Sequence, residues 1–371
     1  MVSFFKKLLT KKTQGVGLEI TPERLNVAQI VKQKQNYKLV KYCSSDIPEG
    51  IFEEGKIVDS AALAELIQEV FKENKITSKR VATAVPMRES IIRIIAIPSE
   101  LDEEELRDLV LNHEANLYLP YPREEVDIDY QKLGYFQDED GIEKVQVLLV
   151  ATRREITDAY LETLQRAGLQ VDVLEINSFA LIRTIRDQLR QFSSNEATVI
   201  VDIEFDNTEI AIVVDGVPQF SRTVPIGTFQ LQNALSRAMN LPTSRSPEIL
   251  LGMTIPTTAF DSLATNTALS RTFTTAGMAA LMRVLGELTD ELRRSINFYL
   301  NQSDEQEIVQ LLLAGPGGGL AQLDEYFTQR LSITTMPIDP IASLNLDIDQ
   351  EIPNTQRPGL GTVLGLGLRE V

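Results

Sequence analysis

The sequence has little of several residue types that common classes of protein require. Its 371 residues include one cysteine, one histidine and no tryptophan. This composition excludes a disulfide framework, a zinc site of cysteine and histidine ligands, and most Ser-His-Asp catalytic arrangements. Any active-site chemistry must therefore come from carboxylates, lysines, arginines and backbone amides. The low cysteine content also fits a reducing compartment.

Long runs of one chemical character are missing as well. No stretch approaches the roughly 20 apolar residues of a membrane-spanning helix, and the N-terminus lacks the apolar core of a signal peptide, which predicts a cytosolic protein. The net charge is −17 and no long basic run occurs, so nucleic-acid binding is disfavoured. The 43% apolar and 24% charged composition is that of a globular protein long enough for two domains.

The first twelve residues, MVSFFKKLLTKK, combine apolar and basic side chains. On a helix, the phenylalanines and leucines would lie beside a face of lysines, a pattern that can bind an anionic membrane surface. The alternative is a frayed terminus with chance amphipathicity. Residues 1–12 are therefore a candidate membrane anchor.

Two segments of the chain repeat one pattern. Residues 17–30 and 200–213 each read as an apolar strand that ends in an acidic residue, a polar turn, and a second alternating strand. Two halves that each open with such a hairpin predict a duplicated core whose turns face a shared nucleotide cleft. When Glu19 is aligned with Asp202, the coinciding apolar pairs are Ile20/Ile203, Val27/Ile210 and Ala28/Ala211.

The rest of the first half alternates between helices and strands. The pattern predicts a helix capped by Ser60, strands at 81–85 and 91–97, and a helix that begins near Ser99. His113 shares the apolar face of that helix. Because the sequence has no second histidine that could join it in a metal site, His113 is predicted to be a half-buried packing residue rather than a ligand or base.

The remaining chain continues this alternation into a second half. After a polar linker at 193–197, residues 242–275 are rich in Thr, Ser and Pro and are predicted to form a mobile insertion with one or two short helices. The other predicted elements are strands near 126–135 and 145–151 joined by a turn at 137–141, a helix at 155–167, a strand at 170–174, and helices at 228–239 and 277–301.

A glycine-rich turn follows an apolar strand in IVQLLLAGPGGGL, residues 308–320. Its glycines, Gly315 and Gly317 to Gly319, allow a ligand or another backbone to come close, and a following helix N-terminus would offer free N–H groups. The turn is thus a candidate phosphate or sugar site; alternatively, it only lets a helix double back on its strand. The Rossmann and P-loop motifs are absent.

The order of these features resembles the actin, Hsp70 and sugar-kinase superfamily. Within it, residues 101–134, 147–184, 291–302 and 363–369 resemble the PilM family of type IV pilus assembly proteins, which is related to the cell-division protein FtsA. The resemblance implies an α/β, actin/Hsp70/FtsA-like two-domain fold with a duplicated core and a small inserted subdomain. The implied parts are a basic amphipathic segment at 1–12, a first actin-like domain (1A) at 13–85 and 151–192, an inserted 1C-like subdomain at 86–150, and a second domain (2A/2B) at 193–371 with a Thr/Ser-rich insertion near 240–280.

The resemblance also implies partners. PilM-like proteins are cytoplasmic scaffolds at the inner membrane that serve pilus assembly and twitching motility. They bind the cytoplasmic N-terminal tail of PilN, link it to the pilus motor ATPase complex, and can self-associate. The family's peptide groove lies between the first domain and the inserted subdomain. By position alone, Tyr118, Leu119, Pro120 and Tyr121 are candidates for it; alternatively, they form a helix end packed onto the sheet.

ATP with Mg²⁺ is the cofactor that the superfamily resemblance implies. Asp202 would hold Mg²⁺ through water, and Glu175 is a candidate for the hydrolytic base by position only. The residues that match the family's nucleotide site are Glu19, Thr21, Arg24, Asn26, Asp202, Asn207, Thr208, Glu291, Arg294, Gly315, Gly317 and Gly318.

Both phosphate turns depart from the family pattern, in which the first turn is rich in glycine and serine and ends in lysine, and the second contains glycine. Pro22 has no N–H to donate, Asn26 stands at the lysine position, and Glu204 stands where glycine is expected. A carboxylate about 4 Å from a phosphate charge costs on the order of 4 kcal/mol, roughly a thousandfold in affinity. Arg24 compensates in part. We therefore expect a weakened nucleotide site and at most a weak ATPase.

Two alternatives remain within the superfamily. An active, filament-forming ATPase of the FtsA type would carry a basic amphipathic helix at its C-terminus, whereas this chain carries its basic segment at residues 1–12. A sugar kinase would need an intact glycine-containing phosphate turn and a catalytic aspartate facing a sugar pocket. Neither hairpin offers that turn.

Overall fold

The computed structural model describes residues 16–33, 36–242, 244–245, 248–256, 268–303 and 306–369. The candidate membrane anchor, residues 1–12, lies outside these ranges. So does the middle of the Thr/Ser-rich insertion, residues 257–267.

The strands of the described residues form two large sheets and two small ones. They are β1 (Val16–Ile20), β2 (Arg24–Gln33), β3 (Asn36–Asp46), β4 (Phe52–Glu53), β5 (Lys56–Ile57), β6 (Arg80–Val85), β7 (Ser90–Pro98), β8 (Val126–Gln137), β9 (Glu143–Arg153), β10 (Gln170–Ile176), β11 (Glu196–Ile203), β12 (Thr208–Val214), β13 (Val217–Val224), β14 (Glu307–Ala314), β15 (Thr335–Pro337) and β16 (Asp347–Ile348).

Helices connect and cover these strands. The α-helices are α1 (Ser60–Glu73), α2 (Glu103–Asp108), α3 (Ala115–Tyr118), α4 (Arg154–Arg166), α5 (Asn177–Thr184), α6 (Arg186–Leu189), α7 (Thr228–Ala238), α8 (Glu248–Leu251), α9 (Ala268–Leu300), α10 (Leu323–Leu331), α11 (Pro340–Ser343) and α12 (Gly361–Gly367). A π-helix spans Leu109–Glu114, and short 3₁₀ turns span Met87–Glu89, Arg123–Glu125, Pro316–Gly319 and Arg357–Leu360.

Two large sheets share one strand order, as a duplicated core predicts. The first lobe contains the sheet β3-β2-β1-β6-β10, extended at its β3 edge by β16, and the second lobe contains β13-β12-β11-β14-β15. In each sheet the hairpin pairs antiparallel and its first strand pairs parallel with the next strand inward. The predicted duplication is therefore confirmed.

The register of the two hairpins agrees with the sequence alignment. Glu19 lies opposite Asn26 in the first hairpin, and Asp202 lies opposite Glu209 in the second. Both carboxylates thus stand one residue before the end of their strands, where the hairpin turns begin. Asn26 and Glu209 are equivalent positions in the two halves.

The inserted subdomain consists of β7, β8 and β9 with the helices between β7 and β8. Its antiparallel sheet has the order β7-β9-β8, so β8 forms an outer edge. Apolar residues of β7 and β9 pack against Leu106 and Val110 of the helical segment. This small core is distinct from the cores of the two large sheets and lies between the two passes of the chain that leave and re-enter the first lobe.

Two helices are capped by aspartate, although the sequence predicted that they begin at Ser60 and near Ser99. The Asp59 side chain accepts from the Ala62 amide, so Ser60 is already helical. Asp102 accepts from two amides and forms a capping box with Glu105, so α2 begins at Glu103 rather than near Ser99. Carboxylates fit this position because they meet both free N–H groups and the helix dipole.

The predicted packing of His113 is wrong because the helix changes its period. The π-helix over Leu109–Glu114 adds a residue to the turn. Leu106 and Val110 remain buried, but the His113 side chain is 67% exposed and Leu117 is 74% exposed. His113 lies 3.7 Å from Asp108 on the surface. The helical spacing that aligned these residues holds only for an uninterrupted α-helix.

Three backbones meet at the centre of the first lobe. An added Cβ atom at Gly365 of α12 would overlap the carbonyl oxygen of Ala180 in α5, and one at Gly17 of β1 would overlap the backbone of Gly367. Glycine at these positions is therefore required by close approach. Helix α12, buried along its whole length, is the common partner of β1 and α5.

Helix α9 is longer than the sequence predicted, since it begins at Ala268 rather than near 277. Its buried residues continue from Leu281 through Leu292 to Tyr299 in the second-lobe core. Among the helices of the described residues, none is both long and apolar enough to cross a membrane.

Candidate functional site

The two hairpin turns face each other across a cleft between the lobes. The space left in this cleft is about 30 Å³. Pockets for small molecules typically measure about 300–1,000 Å³, so the cleft as closed here has room for about one water molecule. Its polar lining consists of Glu19, Thr21, Arg88, Asn177, Glu204, Asp206, Asn207, Glu209 and Thr362, and Pro22 lies among them.

Four carboxyl groups cluster at the cleft: Glu19, Glu204 and Glu209 line it, and Asp202 is buried behind them beside Glu204. Burial raises the pKa of Glu19 and that of Asp202 to about 7 each. Burial, with the neighbouring charge of Asp202, raises the pKa of Glu209 to about 8 and that of Glu204 well above its usual range. Near neutral pH the cluster therefore holds protons and offers no positive field to an anion.

Neutral side chains satisfy part of this cluster. The Asn26 amide donates to Glu19 at 2.9 Å, and the Thr362 side chain hydrogen-bonds Glu19. Asn177 of α5 donates to Glu209 at 2.8 Å and thereby joins the lobes. Within the described part of the chain, the side-chain oxygen of Asn26 is buried without a partner.

The first turn uses its own backbone groups. The Thr21 amide donates to the Arg24 carbonyl at 2.9 Å, and the Arg24 amide donates to the Thr21 hydroxyl at 2.9 Å. The Arg24 guanidinium lies 3.1 Å from Asp46 on the surface and does not line the cleft. The Arg24 side chain therefore lies outside the cleft lining, and its partial compensation for a phosphate charge stays a prediction.

The second turn is closed in the same way. The Glu204 amide donates to the Asn207 carbonyl, and the Thr228 amide donates to the Glu204 carbonyl, both at 2.9 Å. The Thr208 hydroxyl donates to the Ile226 carbonyl at 2.6 Å, so it faces away from the cleft. Asn207 remains at the cleft wall.

The glycine turn contacts neighbouring chain rather than open space. Gly315 has φ +72°, its amide donates to the Pro358 carbonyl at 3.0 Å, and an added Cβ would lie 2.5 Å from a carboxylate oxygen of Asp202. Cβ atoms at Gly317 and Gly319 would overlap Ile203 and Thr355. Gly318 is likewise buried. The glycines accommodate this close packing, and a role of the turn in binding a ligand stays a prediction.

Glu291 and Arg294 lie outside the residues that line the cleft. Glu291 accepts from Arg222 at 2.7 Å and from Arg294. Arg294 is 61% exposed. The structure therefore does not bring this pair to the two turns.

Glu175 does not face the cleft either. It accepts two hydrogen bonds from Arg183, at 2.7 and 2.6 Å, and further ones from Arg369. A carboxylate held by two guanidinium groups forms a structural ion pair. Glu175 lies outside the cleft lining, and its role as a hydrolytic base stays a prediction.

No metal cluster is evident in the described ranges: no three acidic, histidine or cysteine side chains are arranged to hold an ion. Asp202 is the carboxylate nearest to the glycine turn. Its carboxyl shares a hydrogen bond with Glu204. An Mg²⁺ role for Asp202 stays a prediction.

A much larger groove, of about 660 Å³, lies between β8 of the inserted subdomain and β10 of the first lobe. Each strand is the outer edge of its sheet, so both edges present unpaired backbone groups. The apolar lining includes Ile128, Tyr130, Leu148, Val150, Leu161, Val173 and Phe179, and the charged lining consists of Asp127, Asp129, Asp172, Glu175 and Arg369.

The four residues predicted for a peptide groove do not line this one. Tyr118 and Tyr121 are 38% and 40% exposed at the end of the helical segment, and the Tyr121 ring lies 5.4 Å from the Arg153 guanidinium. Leu119 packs on the subdomain core. Sequence reasoning missed the lining residues, although the alternation of acidic and apolar residues from Asp127 to Tyr130 marked one wall.

Comparisons with known proteins agree with this architecture. A family model described as type IV pilus assembly protein PilM matches residues 17–252. The chain is similar to a solved structure titled as the PilM-PilN type IV pilus biogenesis complex, at 27% identity over 97% of this chain and 99% of that one, with a TM-score of 0.79.

A second similar structure is the ethanolamine utilization protein EutJ from Carboxydothermus hydrogenoformans. It is 14% identical over 99% of this chain and 96% of that one, with a TM-score of 0.51. At that identity the likeness shows the fold alone. Together with the duplicated strand order, it confirms the predicted actin-like α/β fold with an inserted subdomain.

Proposed function

The chain belongs to the PilM family of type IV pilus assembly proteins, and on that premise we propose that it is an actin-like scaffold that binds the cytoplasmic N-terminal tail of PilN. In this proposal it works in the cytoplasm against the inner membrane and links PilN to the pilus motor. Residues 1–12 would provide the contact with anionic lipid.

The groove between β8 and β10 is the observation that carries the proposal. Two open strand edges can pair with the backbone of an extended segment, and the apolar lining can take its alternate side chains. A volume of about 660 Å³ suits several residues of such a segment. The similar structure is itself a complex of PilM with PilN.

A weakened nucleotide site is the second part of the proposal. It is supported by the small cleft, by the buried carboxyl cluster, and by turns whose backbone groups already bond within the chain. Pro22 has no amide N–H to offer a phosphate, and Glu204 places an acidic side chain where glycine is expected. The protein would then act by binding partners rather than by turning over ATP.

Titration with a synthetic peptide of the PilN N-terminal tail, followed by calorimetry, tests the groove. Leu161 is 39% exposed and lines it, so Leu161→Glu is expected to weaken binding at least about 10-fold by placing a charge against the peptide. Leu117→Glu is the matched control, since Leu117 is exposed but outside the groove.

A double change of Tyr118 and Tyr121 to Ala separates the two possible locations. If the tail lies between β8 and β10, this variant binds the peptide like the wild type. Loss of binding in that variant, or full binding by Leu161→Glu, would overturn the proposed location. Absence of binding by the wild type would overturn the PilN-binding function itself.

A further inference from the structure

Six charged side chains of alternating sign form a continuous chain across the molecule. It begins at Asp206 in the second hairpin turn, passes the two connections of the inserted subdomain, and ends at Lys56 in the first lobe. The links are Arg88–Asp206 at 2.9 Å, Arg88–Glu89 at 3.8 Å, Arg153–Glu89 at 3.0 Å, Arg153–Glu155 at 2.7 Å and Lys56–Glu155 at 3.2 Å.

The middle of the chain lies where the subdomain joins the first lobe. Glu89 directly precedes β7, and Arg153 is the last residue of β9, so their ion pair ties the outgoing connection to the returning one. The two side chains are only 14% and 24% exposed. Ion pairs that are largely shielded from water and share partners are worth more than isolated surface pairs.

Arg88 carries the link to the second lobe. One of its terminal nitrogens donates to both carboxylate oxygens of Asp206, at 3.1 and 2.9 Å. Its other terminal nitrogen lies against the backbone of Gly55, where an added Cβ would overlap it. Because Gly55 has no side chain, the Arg88 nitrogen fills the space beside it, and packing as well as charge sets the direction of the Arg88 side chain.

The Arg88 bond also occupies the cleft. Of the described residues that line the cleft, Arg88 carries the positive charge, and that charge is already matched by Asp206 in the turn. The link therefore joins the lobes at the place where the two hairpin turns face each other. A direct side-chain bond holds the cleft closed there.

We propose that Arg88 is a positioning residue for the groove, because it couples closure of the cleft to the placement of the inserted subdomain. That subdomain supplies β8, one wall of the groove. When Arg88 holds Asp206, the connection before β7 is pinned to the second lobe, and the neighbouring Glu89–Arg153 pair holds the connection after β9. The inference rests on the proposed function in that the groove takes the PilN tail.

The coupling is reciprocal. If closure of the cleft raises the affinity of the groove for a ligand by some factor, binding of that ligand raises the equilibrium constant for closure by the same factor. The second lobe also packs against the subdomain where β13 lies beside β7. This contact remains when the ion pair is removed, so a variant of Arg88 is expected to fold.

A double-mutant cycle tests the proposal on the full chain. Arg88→Gln, Asp206→Asn and the combined variant are compared for affinity toward the PilN tail peptide and for hydrogen–deuterium exchange in β7, β8 and β9. Each single change is expected to weaken peptide binding on the order of 10-fold and to raise exchange in the subdomain. The combined variant is expected to be no weaker than either single one.

Arg357→Gln is the matched control. It breaks an ion pair of similar burial, Arg357–Asp339 at 2.7 Å, which ties the residue before α11 to the 3₁₀ turn Arg357–Leu360 and has no part in the chain of charges. We expect this variant to lower the melting temperature without changing peptide affinity or exchange in the subdomain. A merely structural role of Arg88 would give the same pattern as this control.

Two outcomes would overturn the inference: additive losses of affinity in the combined variant, or unchanged exchange in the subdomain of Arg88→Gln. The exchange measurement needs no peptide. If the wild type fails to bind the peptide, the PilN-binding function fails while the exchange data still decide whether Arg88 positions the subdomain.

Discussion

Glu209 is the structural counterpart of Asn26: each lies opposite the acidic residue that closes the first strand of its hairpin, Asp202 and Glu19 respectively. In the first hairpin the amide of Asn26 donates to Glu19 and eases its burial. In the second, a further carboxyl group stands at the same place. The two halves share a backbone, but the second half makes the cleft acidic.

The first prediction concerns stability and pH. Burial raises the pKa of Glu209 from 4.5 when unfolded to about 8 when folded. The folded state thus binds more protons between these values, so the contribution of Glu209 to stability is present below pH 4.5 and is lost as pH rises toward 8. The free energy of unfolding should fall by an amount on the order of 4 kcal/mol for this group.

Chemical denaturation at pH 5, 6.5 and 8 measures this loss. Glu209→Gln should flatten the profile in part, since Glu19, Asp202 and Glu204 titrate in the same direction. Glu307→Gln, at an exposed position of β14, is the control and should leave the profile unchanged. An equally steep profile in Glu209→Gln would contradict the prediction.

The second prediction concerns nucleotide. Calorimetric titration of the wild type with Mg·ATP should show no binding tighter than about 1 mM, because the cleft is small and acidic and its turns are internally bonded. Glu204→Gly removes one buried carboxyl from a turn and should raise the affinity. Micromolar binding with turnover by the wild type would refute the weakened site.

The third prediction concerns the contact of α12 with α5. Gly365→Ala should lower the free energy of unfolding by at least about 1–3 kcal/mol, since the new methyl group meets the Ala180 carbonyl. Gly286→Ala in α9 is the matched control, because nothing lies within 4 Å of the added Cβ. That variant should gain roughly 0.5–1 kcal/mol from helix propensity. Equal melting temperatures for both variants would contradict the packing.

The fourth prediction concerns the N-terminus. Vesicles rich in phosphatidylserine should pellet the full chain but not a variant that lacks residues 1–12. A variant with Lys6, Lys7, Lys11 and Lys12 changed to Gln keeps the apolar residues and tests the charge alone. Equal pelleting of all three proteins would remove the anchor from the proposal.

The hairpin repeat was the part of the fold that sequence could predict, because strand alternation and acidic strand ends are local features. The same offset in numbering that relates Glu19 to Asp202 also relates Asn26 to Glu209, so the repeat held the signal for a residue that sequence reasoning missed. The start of α2 could not be fixed from sequence, because Ser99 and Asp102 both satisfy the preference for a helix N-cap.

Features that depend on distant residues were not predictable in this way. Arg24 pairs with Asp46, and Glu291 pairs with Arg222, at separations that no local pattern encodes. The groove arises because β8 and β10 belong to different sheets that meet only in the folded chain. Tyr121 was a candidate for the groove by position, yet its ring lies against Arg153 and does not line the groove.

The glycine contacts that join β1, α12 and α5 have a mechanical consequence. Where backbone rests on backbone, no side chain can change rotamer to absorb a displacement, and close-packed interiors are nearly incompressible. One end of α12 carries Thr362 at the cleft, and Arg369 lies just beyond its other end at the groove. We therefore expect β1, α12 and α5 to move as one rigid unit, so that any hinge between the lobes lies outside these three elements.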